Sequence, residues 1–164
     1  MSFHQCASGL KLAAVLGAAL MMTACAKTPS EQGLAGGYGV AAPGTPQDFT
    51  VNVGDRVFFD TDSSELSPTA QATLDKQARW LQQYGRYTVT IQGNADERGT
   101  REYNFALGAR RAETVKQYLV ARGVSAARMH TISFGKERPV ATCNDISCWS
   151  QNRRAVTVLG GNQS

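Results

Sequence analysis

Between Gly93 and Ala112 the chain switches from a strand pattern to a helix pattern within a few residues, and that switch limits the available folds more than any other stretch. Tyr87, Val89 and Ile91 alternate with Thr88, Thr90 and Gln92, as in a strand with one buried face. Gly93 interrupts the alternation and a polar turn follows. Thr100 then opens a helical pattern that runs to Arg122, with Tyr103, Leu107, Val115 and Leu119 expected to face inward and Gly123 as its stop. Asp96 therefore sits on the loop that opens the helix, and Arg111 lies about three turns into it. A carboxylate and a guanidinium are the two groups that grip the ammonium and the carboxylate of an amino-acid-like ligand. From the residues alone, a structural ion pair between Asp96 and Arg111 is the competing reading.

The flanking elements follow from the same rules. Thr50 to Val53 and Arg56 to Phe59 read as a first strand region interrupted by Gly54-Asp55. Ser67-Pro68 is a cap followed by proline at the first helical position, and Ala70, Leu74, Ala78 and Leu81 give that helix an inner face up to about Tyr84. Met129 to Phe134 reads as a strand, Ile146 to Gln151 as a short helical turn within a long loop, and Ala155 to Leu159 as the last strand. The order strand, helix, strand, helix, strand, strand predicts an α+β fold, an α/β sandwich with its helices packed on one mixed sheet. Each strand-helix-strand unit is expected to make its strands parallel, and the last strand, joined without a long helix, is free to run antiparallel.

The N-terminus is of another kind. An apolar run from Leu12 to Met22 is too short and too quickly followed by polar residues to span a membrane, so residues 1–24 are expected to be a secretory signal. Leu20-Met21-Met22-Thr23-Ala24-Cys25 resembles the lipobox of bacterial lipoproteins, which implies cleavage before Cys25 and acylation of its sulfur. More than one acyl chain makes such anchoring stable. Residues 25–48 are rich in Gly, Ala, Pro and Ser and read as a tether; about 22 flexible residues span on the order of 26 Å. A domain over residues 49–160 and a polar tail over 161–164 complete the chain.

Cysteine and charge narrow the chemistry. Cys6 leaves with the signal and Cys25 is lipidated, so Cys143 and Cys148 remain as an even pair in an oxidising compartment. They form a disulfide candidate that would contribute roughly 2 kcal/mol. A metal site lacks partners, because His130 is the one histidine outside the signal. The formal net charge of +4 falls by one when Lys11 leaves, and the cations are dispersed, which argues against a nucleic-acid partner. Asp96 beside Glu97 is not placed as an enzyme dyad. No cofactor is expected.

Gly93 to Ala112, together with Val124, Phe134-Gly135-Lys136-Glu137-Arg138-Pro139 and Asn152-Arg153-Arg154-Ala155-Val156, resembles the peptidoglycan-binding domain of the outer membrane protein A family. With the lipobox and tether in front, the whole chain resembles the lipoproteins of the Tol-Pal system. Arg101 replaces a proline often found in the family, and the cysteine pair is not general to it. The resemblance implies an outer-membrane lipoprotein at the periplasmic face that holds the diaminopimelate of peptidoglycan. It also implies a TolB-like periplasmic partner with other Tol components, and a role in envelope integrity and cell division. Asp96 would pair with the ligand's ammonium and Arg111 with its carboxylate. Backbone amides of Thr61, Asp62 and Ser63 would reach that carboxylate too, and Leu107 would wall the methylene stem. Asn104 either touches ligand or is a structural amide holding the Asp96 loop. Arg98 and Arg110 are expected to be solvated or to stabilise that loop, and Arg153 or Arg154 to pair with Asp96 or a neighbouring acid. The competing functions are a peptidoglycan amidase or glycosidase and a protein-docking module without wall binding.

Overall fold

The computed structural model describes residues 41–160. The signal, Cys25, most of the expected tether and the 161–164 tail lie outside the described residues. The elements are α1 (Pro46–Asp48), a π-helical turn (Phe49–Gly54), β1 (Arg56–Phe58), α2 (Pro68–Gln83), β2 (Thr88–Asn94), α3 (Arg101–Ala121), a 3-10 turn (Ala126–Arg128), β3 (Met129–Gly135), α4 (Ile146–Asn152) and β4 (Arg154–Gly160).

The four strands form one mixed sheet in the order β1-β4-β2-β3. β2 and β3, joined through α3, are parallel, whereas β4 runs antiparallel to both β1 and β2. The last strand thus enters between the first two, and β1 and β2 are not neighbours even though a helix connects them. Leu74, Ala78 and Leu81 of α2 join Ala112, Val115 and Leu119 of α3 over Val89 and Ile91 of β2 in the main core. Ser67 caps α2 by accepting from the amide of Ala70, and Thr100 caps α3 by accepting from that of Tyr103.

The expected first strand region is half helix. Thr45-Pro46 is the same cap-proline signal as Ser67-Pro68: the Thr45 hydroxyl accepts from the Asp48 amide and starts α1, and the chain then continues as the π-helical turn. The alternation of Thr50 to Val53 does not mark a buried face, since Val51 is 66% exposed. Only Arg56–Phe58 remains as strand.

Residues just before Phe49 also pack on the domain. Ala41 is buried. The Gly44 carbonyl accepts from Arg86 (2.6 Å) and from the Tyr87 hydroxyl (2.9 Å). The buried Asp48 carboxylate accepts from the Gly44 amide (2.9 Å), the Asn52 amide (2.8 Å) and the Trp80 indole (2.8 Å). Phe49 packs on that indole at 4.9 Å. Residues 44–48 are therefore pinned to Trp80 of α2 and to Arg86 and Tyr87 in the segment after it by polar bonds that no hydrophobic pattern announces.

Tyr103 is a second correction: it is 44% exposed rather than inward. The first turn of α3 projects past the end of the sheet, because Gly135 closes β3 against the backbone of Asn104 and Phe105. Cys143 and Cys148 are disulfide-bonded with Cα atoms 5.6 Å apart. Among the described residues no helix is long and apolar enough to cross a membrane.

Candidate functional site

Two glycines bring the strand and the helix of the site together. A Cβ on Gly93 would lie 1.8 Å from the carbonyl oxygen of Gly108, so β2 and α3 touch backbone to backbone. Two residues past this contact the Ala95 amide donates to the Gly135 carbonyl (2.8 Å), and the chain leaves the sheet at Asp96. On the helix side, Arg111 follows Gly108 by nearly one turn, so its side chain rises on the same face.

The 95–99 loop is held from several sides. The Asp96 carboxylate accepts from the Arg98 amide (3.2 Å), and Asn104 donates to the Arg98 carbonyl (2.6 Å). Lys136 donates to the carbonyls of Glu97 (3.1 Å) and Gly99 (2.7 Å). Gly99 turns with φ +86. The Trp149 indole donates to the Glu97 carboxylate, and its ring lies 4.2 Å from the Arg98 guanidinium. Asn104 thus has the loop-holding role, and it also borders the cavity described below.

Asp96 and Arg111 do not bond to each other. Asp96 pairs with Arg98 (2.6 Å) and Arg153 (3.3 Å), and Arg153 is itself anchored on the Phe59 carbonyl (3.0 Å). Arg154 takes no such part; it donates to the carbonyls of Asn152 and Arg138. Arg111 is wholly buried and donates to the carbonyls of Ser63 (2.8 Å), Asn94 (2.8 Å) and Asp60 (3.1 Å), with its charge 5.1 Å from the Phe59 ring. A guanidinium has five N–H donors, so two remain, one on each terminal nitrogen. Burial, helped by repulsion from Arg153 and opposed by Asp96 and Asp62, lowers the Arg111 pKa to about 10, which leaves it cationic at neutral pH.

Asp96 and Arg111 both line one cavity of about 240 Å³, together with Thr61, Asp62, Arg98, Gly99, Tyr103, Asn104 and Leu107. Leu107 supplies an apolar wall. Asp62 sits at φ +58, and its carboxylate accepts from the Tyr103 hydroxyl, linking the loop after β1 to the first turn of α3. Ser63 does not line the cavity; its carbonyl holds Arg111 from behind and its hydroxyl accepts from the Glu65 amide (3.0 Å). Tyr103 was missed as a site residue because its spacing from Leu107 resembles a core stripe. The capping position of Thr100 is the one signal that could have placed it at the exposed helix end.

Burial alone would raise the Asp96 carboxyl, but bonds from Arg98 and Arg153 outweigh it and hold the pKa below the usual carboxylate range. The bonds from Trp80, Asn52 and Gly44 lower that of Asp48 in the same direction. An unfolded aspartate titrates at about 3.9, so the stabilisation from both groups is complete above about pH 4 and is lost as pH falls through their lower folded values. The unfolding midpoint is expected to stay level from pH 7 to about 4 and to drop below it, with a shallower drop in Asp48→Asn. A loss starting above pH 5 would place the acid sensitivity in other groups.

The profile of the OmpA family matches residues 58–153, which takes in β2, β3, both long helices and the whole cavity lining and stops just before β4. The chain belongs to the OmpA family. Within it, the chain is 70% identical over 129 residues to the peptidoglycan-associated lipoprotein of Rhizobium meliloti (strain 1021), covering 79% of this chain and 73% of that one. It is 61% identical over 149 residues to the protein of the same name from Agrobacterium fabrum (strain C58 / ATCC 33970), covering 87% and 84%. The crystal structure of the peptidoglycan-associated lipoprotein from Burkholderia pseudomallei superposes with a TM-score of 0.67 at 42% identity, over 71% of this chain and all of that one. The C-terminal domain of Helicobacter pylori MotB gives a TM-score of 0.62 at 20% identity, over 66% of this chain and 86% of that one, which shows a common fold. The fold is thus shared across proteins with different names, so it does not by itself fix a function.

Proposed function

We propose that this OmpA-family chain is a non-catalytic tether, an outer-membrane lipoprotein anchored at the periplasmic face through acylated Cys25. Its cavity binds the diaminopimelate of peptidoglycan. The observation that carries the reading is the shared lining of one small cavity by a carboxylate and a buried guanidinium with two N–H groups to spare. The free end of a diaminopimelate side chain is an amino-acid zwitterion: its ammonium suits Asp96, its carboxylate suits Arg111, and its methylene stem suits Leu107. A ligand lacking the carboxylate leaves the spare donors of Arg111 without a partner, and one lacking the ammonium leaves Asp96 to its two arginines, so only the zwitterion uses both ends of the site. The names of the relatives at 70% and 61% identity support the same assignment. The resemblance to the Tol-Pal lipoproteins supports a TolB-like periplasmic partner with other Tol components, and a role in envelope integrity during cell division.

The test treats the two ends separately. Asp96→Asn is expected to weaken co-sedimentation with purified peptidoglycan by at least tenfold, as for removal of one partner of a desolvated charge pair, worth about 2 kcal/mol. Cys25→Ser is expected to release the protein from the membrane fraction with wall binding intact. Undiminished sedimentation of Asp96→Asn would remove Asp96 from the site. Soluble fragments released from labelled wall would make the protein an enzyme instead.

A further inference from the structure

Resting on that reading of the cavity, we infer that Arg98 is a built-in competitor for the ligand: its guanidinium holds the position on Asp96 that the ligand's ammonium has to take. An ionised carboxylate offers about four acceptor positions. On Asp96 all are in use. One oxygen accepts from the Arg98 amide (3.2 Å) and its Nε (3.3 Å), the other from Arg98 Nη2 (2.6 Å) and Arg153 Nη1 (3.3 Å). An ammonium therefore enters by displacing one of the two arginines.

The surroundings decide which one. The Arg153 side chain is 8% exposed and is fixed on the Phe59 carbonyl, whereas that of Arg98 is 40% exposed. Arg98 also has somewhere to go: it lies 4.2 Å from the Trp149 ring, and its Nη2 is already 3.5 Å from the Thr61 hydroxyl. Turning off Asp96 can keep the contact with the ring, so the closed and released positions differ by one ion pair and not by a lost anchor. Arg153 remains as the permanent counter-charge that keeps Asp96 ionised.

This arrangement sets specificity. A simple amine must displace Arg98 and gains nothing at Arg111. A zwitterion gains the two spare donors of Arg111 to offset the displacement. Arg98 thus acts as a threshold that admits an ammonium only when a carboxylate accompanies it. The apparent affinity of a site that must first open is reduced by the fraction that is open.

Arg98→Gln tests the inference, since it removes the guanidinium and leaves the backbone bonds from Arg98 to Asp96 and from Asn104 to Arg98 available. By titration calorimetry on the purified full-length protein in detergent, Arg98→Gln is expected to bind meso-diaminopimelate about fivefold more tightly than wild type, the scale of a half-exposed ion pair. It is also expected to gain measurable binding of cadaverine, a diamine without carboxylates. Equal or weaker meso-diaminopimelate binding by a natively folded Arg98→Gln protein would overturn the competitor role and make Arg98 a ligand contact or a bystander. Wild-type binding that survives Asp96→Asn would instead overturn the site itself. Failure of both wild type and Arg98→Gln to bind meso-diaminopimelate would overturn the site and the inference together.

Discussion

Arg111→Ala is expected to destabilise the domain by roughly 4 kcal/mol, enough to obscure its direct effect on any ligand. The Arg111 side chain is the largest fully buried one in the domain, and it supplies the donors for the carbonyls of Asp60, Ser63 and Asn94. Alanine leaves those acceptors without their partner and opens a cavity under Phe59. Marginal domains have about 5–15 kcal/mol to lose, so the urea midpoint should fall steeply. The binding role is better read in Arg111→Lys, which keeps a charge but cannot fork to three carbonyls and a ligand carboxylate. It should lose most peptidoglycan binding with a smaller stability loss. An Arg111→Ala protein as stable as wild type would show that the three carbonyls do not need this clamp.

Gly93→Ala is expected to cost about 3 kcal/mol or more, at the upper end for overpacking. The added carbon would sit 1.8 Å from the Gly108 oxygen and 2.7 Å from its carbonyl carbon, and backbone atoms of a helix cannot rotate aside. Helix α3 has to move off β2. Because Asp96 leaves the sheet just after Gly93 and Arg111 stands nearly a turn beyond Gly108, the same movement separates the two charged groups, so wall binding should fall with stability. Gly85→Ala is the control, as nothing lies within 4 Å of the carbon it adds. Its thermal midpoint should match wild type or exceed it. A tolerated Gly93→Ala would mean that strand and helix are not in backbone contact.

The parts of the site that could be seen in the sequence were those fixed by local chemistry. The Gly93 break, the Thr100 cap and the Gly123 stop each act within one turn of chain, and they put Asp96 on a loop and Arg111 on a helix face without reference to the rest of the fold. Cap and proline together were equally plain at Ser67-Pro68. The matching signal at Thr45-Pro46 was obscured by the alternating residues behind it, which imitate a strand. Arg98 illustrates a harder case: nothing in its neighbours distinguishes a solvated arginine from one that bonds a buried carboxylate, because the groups that surround it there, Arg153, Trp149 and Thr61, lie far away along the chain.

Read alone, the chain indicates the elements from Arg56 onward, their order and the two charges that a zwitterionic ligand would want, since periodicity, capping and residue chemistry are local properties; before Arg56 it misleads, because helix and π-helical turn stand where alternation suggests a strand. The folded chain settles the rest: β4 enters between β1 and β2, Asp96 bonds to Arg98 and Arg153, and Arg111 is bound to three carbonyls with two donors left over. Those outcomes depend on which distant groups come within hydrogen-bonding distance once the backbones of Gly93 and Gly108 meet, and such distances exist only in the folded chain.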